Sequence, residues 1–226
     1  MNKTNIENRY VQILSTGVRL EGIASIPENP QGLVVFVHGS GSSRNSPRNQ
    51  FVAQTLQEGG LATLLFDLLT PYEEEIDLRT RHLRFDIDML ARRTAGVLEW
   101  LDLQPFAYEL RRGLFGSSTG AAAALMAAAE LPDKVDAVVS RGGRPDLAGP
   151  ALPKVQAPTL LIVGGNDKPV IDLNEEALDQ MEQRSEKKLV IVPGASHLFE
   201  EPGTLEDAAR LATEWFQTHL SCVSVC

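Results

Sequence analysis

The chain has 226 residues, a formal charge of −9, and 43% hydrophobic and 23% charged residues. That size and composition suit one globular domain able to bury roughly 70% of the surface of its unfolded chain. The acidic balance excludes a nucleic-acid footprint, which needs a stripe of Lys and Arg to displace phosphate counterions.

MNKTNIENRYVQIL, at the start, lacks the continuous apolar core of a secretory signal, and no apolar run is long enough to span a bilayer. A cytoplasmic protein with no membrane contact is expected. The next stretch, RYVQILSTGVRLEGIASIPE, alternates apolar and polar residues on either side of STG, the pattern of an antiparallel hairpin at a sheet edge. The pattern then changes to short continuous apolar runs: 32–38, 61–66, 112–116, 135–140, 157–165 and 187–194. Such runs suit strands covered on both faces, as in a parallel sheet. Helix-period segments fall between them at 47–58, 81–101, 118–130, 173–183 and 205–219, the last with a start signal at Thr204 and Asp207 that resembles a capping box. Strand and helix alternate to the end, so the expected class is α/β: a single domain over 1–226, with helices on both faces of one mostly parallel sheet. Cys222 and Cys226, in the terminal SCVSVC, give neither a disulfide framework nor metal-type spacing with histidine and read as tail residues. No metal or other cofactor is expected.

Ligands of such sheets bind at the carboxyl ends of the strands. One of those turns, GSSTG, fits G-x-S-x-G with Gly116, Ser118 and Gly120 in the fixed positions. A strand precedes it and a helix follows, the setting of a nucleophile elbow. On this reading Ser118 is the nucleophile and Ser117 only fills a variable position. A serine hydroxyl needs a base within reach. Of four histidines, His197 follows the last strand at the active edge. His219 lies near the end of the final helix, His82 near the start of another, and His38 in a Gly/Ser loop that it braces. Asp167, after the penultimate strand, is the expected orienting carboxylate, with Asp146 as runner-up and Asp172 a more remote choice. The order Ser118, Asp167, His197 has gaps of 49 and 30 residues, and it is the order of α/β-hydrolases. The oxyanion formed on attack calls for backbone N–H donors. The amide of Thr119 is one and that of Ser40 in HGSGSS the other, with Gly41 as an alternative. Because GKS or GKT is absent, HGSGSS is no P-loop.

The segments VVFVHGSGSSRNSPRN, GLFGSSTGAAAAL, SRGGRPDLAG, LLIVGGNDKPV and VPGASHLFEEPGTL together resemble an α/β-hydrolase of the dienelactone hydrolase-like group, over most of the chain. The resemblance implies hydrolysis of esters or lactones by a serine or cysteine nucleophile. It also implies relatives joined to phosphoribosyltransferase domains, a part that these 226 residues do not contain. The dienelactone hydrolases proper use cysteine where this sequence has Ser118, so a carboxylic ester is the expected substrate. Lactones and thioesters are open to the same machinery, and a non-catalytic binding module is the alternative of another class. The short stretch between Ser140 and Ala157 leaves little room for a large lid, so little or no lid is expected, and it implies an open site for small or moderately sized esters. Arg44, Arg141 and Arg144 lie in loops at the active edge. They either fork onto a substrate carboxylate or phosphate or pair with the acidic run Glu73 to Asp77. The expected partner is a small-molecule ester, and self-association stays open.

Overall fold

The computed structural model describes residues 5–181 and 185–221; Cys222 and Cys226, and the expected helix end at Gln183, lie outside them. Eight strands form one sheet in the order β1-β2-β4-β3-β5-β6-β7-β8. The first two, β1 (Ile6–Ser15) and β2 (Val18–Pro27), make the expected antiparallel hairpin, turned by Thr16 and Gly17 at positive φ. β2 joins β4 (Ala62–Phe66) antiparallel, and every other pairing is parallel. The central strands β3 (Leu33–Val37), β5 (Arg112–Ser117), β6 (Ala137–Arg141) and β7 (Thr159–Gly164) are buried at every residue, which is why their sequences run apolar without alternation. β8 (Lys187–Val192) is the partly exposed edge.

Helices α1 (Pro47–Glu58) and α6 (Thr204–Leu220) cover one face, packing Leu56, Ala212 and Phe216 on Phe36, Phe115 and Ile162. On the other face lie α3 (Ile87–Leu101), α4 (Thr119–Glu130) and α5 (Lys168–Gln180), around Val35, Leu114 and Leu161. The alanines of α4 allow the close approach: Ala121, Ala122, Ala123 and Ala124 are fully buried.

Four local expectations are corrected. The segment expected as one helix from Arg81 is split. Arg81 adopts the left-handed conformation (φ 56°), a 3-10 turn occupies Leu83–Phe85, and Asp86 caps the true start of α3 by accepting from Met89 N–H. A further helix, α2 (Pro71–Thr80), lies where a loop was expected. Its apolar stripe is weak, so periodicity missed it, yet its start is written in Thr70, Pro71 and Glu73, which form a full capping box with proline in the first turn. α5 begins at Lys168, five residues before the expected Leu173, with Asp167 at the cap position, its side chain making no cap bond, and Pro169 in the first turn. Thr204 is the first residue of α6 and not its cap; its hydroxyl donates to Glu201 O, while Gly203 takes the cap position with φ 84°.

Chain direction across the sheet changes at β3. The β3–α1–β4 crossover runs toward the hairpin, whereas β5–α4–β6 runs the other way, so the carboxyl ends of β3 and β5 flank a topological switch point. A crevice opens there in sheets of this kind.

Candidate active site

Ser118 occupies the sharp corner between β5 and α4 with φ 50° and ψ −124°, a region that costs a non-glycine residue about 1–3 kcal/mol. Packing holds it there. A Cβ on Gly120 would lie 2.2 Å from Val37 O, and one on Gly116 would lie 2.4 Å from Ala121 Cα, so only glycines let the helix start this close to β3 and β5. The corner is tied to the loop after β6 by two backbone bonds, Ser118 N–H to Arg141 O (3.4 Å) and Arg144 N–H to Ser118 O (3.0 Å). Asn174 of α5 steadies the same loop through Gly143 O (3.1 Å).

His197 sits in the loop after β8. Its Nδ1 lies 2.6 Å from Asp167 Oδ2, the carboxylate at the end of β7. The histidine loop is clamped from several sides. Asn166 donates its amide to Gly194 O and its backbone N–H to Ala195 O, Glu201 accepts from Ser196 N–H, and Phe199 is buried beneath at φ 56°. Gly142 joins this loop to the serine corner: a Cβ there would lie 3.0 Å from His197 O and 3.7 Å from Nδ1. Ser118 is half-buried, and its hydroxyl makes no hydrogen bond to His197 among the described residues. Catalytic hydrogen bonds in a free enzyme are commonly long and tighten once substrate binds. The other carboxylates lead elsewhere. Asp146 forms a fork with Arg144 (2.8 Å twice), and Asp172 is exposed on α5.

From β3 the Gly/Ser loop reaches the corner. Ser40 N–H donates to Thr119 Oγ1 at 3.0 Å, so this expected oxyanion donor is engaged by a side chain. The N–H of Thr119, at the first position of α4, and that of Gly41 have no acceptor among the described residues. His38 is buried and braces the loop as expected. Leu68 N–H donates to its Nε2 (3.0 Å), so Nδ1 bears the proton, directed at Gly39 O (2.9 Å). Burial holds its pKa below the usual histidine value, opposed by the bond to Gly39 and the charge of Asp67. A cleft of about 620 Å³ opens along this loop between Ser40, Ser43, Arg48 and Glu74; neither Ser118 nor His197 lines it. His82 is exposed beside Thr80, and His219 packs on Trp215 near Glu186.

The three loop arginines differ. Arg44 is taken by Asp67 and Glu21, and Arg144 by Asp146; neither pairs with the run Glu73 to Asp77, whose Glu73 and Asp77 instead hold Arg93 and Arg84. Arg141 has no carboxylate within 4 Å among the described residues. Its Nη2 donates to Ser117 Oγ (3.1 Å), its guanidinium lies over the Phe199 ring (5.6 Å), and its Nε is buried without a partner. Burial, then the charge of Arg48, pushes its pKa down to about 10. Ser117 is therefore more than a spacer. Its hydroxyl accepts from Arg141 and donates to Asn49 Oδ1 (3.1 Å), linking β5, β6 and α1 under the corner. The sequence signal for Asn49 was a polar residue on the face of α1 that buries Val52 and Leu56.

Among the described residues no helix is long and apolar enough to cross a membrane. Comparison with known proteins adds the following. The crystal structure of a dienelactone hydrolase from Anabaena variabilis is 60% identical, with a TM-score of 0.93, and covers 95% of this chain and 99% of its own. A Mycobacterium tuberculosis protein named as a phosphoribosyl transferase is 54% identical over 215 residues, 95% of this chain and 47% of its own length. This chain thus spans about half of that relative. Est1E from Butyrivibrio proteoclasticus, 18% identical with a TM-score of 0.76 over 93% of this chain and 98% of its own, shares the fold. The profile of the Dienelactone hydrolase family matches residues 20–220, and the chain belongs to that family of hydrolases.

Proposed function

We propose that this protein is a serine hydrolase that cleaves carboxylic esters of small or moderate size through an acyl-enzyme. The observation that supports it most is the 2.6 Å bond between His197 Nδ1 and Asp167, in a loop packed against the corner that presents Ser118. Asp167 fixes the tautomer that leaves Nε2 as acceptor and stabilises the imidazolium that forms. Ser118 Oγ attacks the acyl carbon and His197 Nε2 takes its proton. The carbonyl oxygen becomes an oxyanion facing the N–H of Thr119, then collapses as His197 returns the proton to the leaving alcohol. Water repeats the sequence on the acyl-serine and releases the acid. Lactones and thioesters fit the same steps.

A fluorophosphonate probe tests the reading. Labelling of the wild type that is lost in Ser118→Ala supports it. A well-folded wild type that neither labels nor hydrolyses p-nitrophenyl esters would make the chain a binding module. The phosphoribosyl transferase in the name of the longer mycobacterial relative is not proposed here, since the matched residues carry the serine elbow. A narrower reading of the substrate rests on Arg141: a buried guanidinium with no carboxylate partner among the described residues, beside the corner and near Arg48, favours esters that bring their own anion.

A further inference from the structure

We infer that the hydroxyl of Thr119, and not the backbone N–H of Ser40, is the second oxyanion donor of this site, acting beside the N–H of the same residue. The inference rests on the esterase reading above. Sequence reasoning assigns two backbone amides to the oxyanion, one from each side of the crevice. The structure leaves the Thr119 amide available but commits the Ser40 amide to Thr119 Oγ1 at 3.0 Å.

That bond orients the hydroxyl. Threonine Oγ1 has two lone pairs and one proton. With a lone pair engaged by Ser40 N–H, the proton points away from the loop of β3. Thr119 is only 5% exposed, and its hydroxyl proton finds no acceptor among the described residues. A buried donor left without an acceptor is costly. An oxyanion on the acyl carbon held by Ser118, the preceding residue, would supply the missing acceptor as charge develops. The Ser40 amide then acts one bond further back, polarising the hydroxyl that it holds. Thr119 gains and loses no covalent bond. The electron pair displaced from the C=O bond rests on the oxygen between its N–H and O–H, while the proton of Ser118 passes to His197. Preorganised donors of this kind stabilise the transition state more than the ground state.

The test compares Thr119→Val, which keeps the shape and loses the hydroxyl, with Thr119→Ser, which keeps the hydroxyl. For a p-nitrophenyl ester, kcat of T119V should fall about 10²–10³-fold with KM nearly unchanged, the range for loss of one oxyanion donor. T119S should keep most of the rate. A trifluoromethyl ketone, whose adduct with Ser118 carries an oxyanion, should lose affinity for T119V in step with the fall in kcat/KM. Thermal melts and the endpoint of fluorophosphonate labelling report whether the corner is intact; should T119V unfold, Thr119→Ala replaces it in the comparison. Removing the hydroxyl also frees Ser40 N–H to reach the oxyanion directly. A T119V that is as fast as wild type or faster, with undiminished ketone affinity, would therefore overturn the inference and return the role to Ser40. A wild type that neither turns over nor labels would instead bring down the hydrolase reading, and this one with it.

Discussion

Asp167 Oδ2 and His197 Nδ1 meet at 2.6 Å, one at the end of β7 and the other beyond the end of β8, 30 residues apart in the chain. With Asp167→Asn the residue can present an N–H to Nδ1, which favours the tautomer with its proton on Nε2. A loss of about 10⁴-fold in kcat is expected, the size seen for the equivalent change in a serine protease triad. Asp146→Asn, which only breaks the fork with Arg144, should leave kcat within a few-fold. Steady-state rates on one p-nitrophenyl ester compare the two, and a larger effect at Asp146 would reassign the orienting acid.

Ser118 holds a backbone conformation suited to glycine. Ser118→Gly should abolish turnover and stabilise the fold by about 1 kcal/mol, the relieved strain less the added entropy of glycine in the unfolded chain. That corresponds to a rise in Tm of about 2–4 °C for a domain of this size. Gly120→Ala should do the reverse, since its methyl group would collide with Val37 O. Scanning calorimetry of both variants checks the pair; a lower Tm for S118G would mean that the corner is not strained.

Arg141 makes a substrate prediction. Replacing it with Met removes a buried charge that no carboxylate balances among the described residues, so stability should hold or rise. The ratio of kcat/KM for a p-nitrophenyl ester ending in a carboxylate to that for its neutral counterpart should fall about tenfold or more, equal to one charge-assisted contact of about 1.5–3 kcal/mol. An unchanged ratio would remove Arg141 from substrate binding.

His38 makes stability depend on pH. Its folded pKa lies below the unfolded value of about 6.5, because burial disfavours the charged ring. Between those two values the unfolded chain binds more protons, so stability falls as pH drops below about 6.5 and is fully present above it. The slope from one such group is at most about 1.4 kcal/mol per pH unit. His219, lowered by burial and packed on Trp215, acts in the same direction. The informative quantity is therefore the difference between wild type and His38→Gln. Urea unfolding at pH 8, 6.5 and 5.5 should show a flatter profile for H38Q; parallel profiles would mean that burial does not lower the His38 pKa.

Continuous apolar runs made the sheet legible, because strands covered on both faces leave no polar alternation to confuse the reading. The order of Ser118, Asp167 and His197 pointed to one edge because each follows a strand. What escaped was written in polar side chains. α2 is held by a capping box and by Glu73 and Asp77 pairing with Arg93 and Arg84, partners 20 and seven residues away that no local periodicity announces. The same holds for Arg44, whose carboxylates come from β2 and the loop after β4. Ser117 read as a filler because its partners, Asn49 and Arg141, become neighbours only once the sheet has formed.

Phe216 of α6 stands over Gly113, where a Cβ would lie 2.4 Å from its ring, and Leu220 fills the space above Gly32. Residues 187–221 thus complete both the edge that carries His197 and the roof over one face of the sheet. A nascent or clipped chain ending before residue 187 lacks His197 and strips α6 from the cluster of Phe36, Phe115 and Ile162, leaving α1 to cover it alone. On the proposed mechanism ester turnover requires both parts, so a simple colorimetric assay would double as a gauge of whether the segment after β7 has folded onto the sheet.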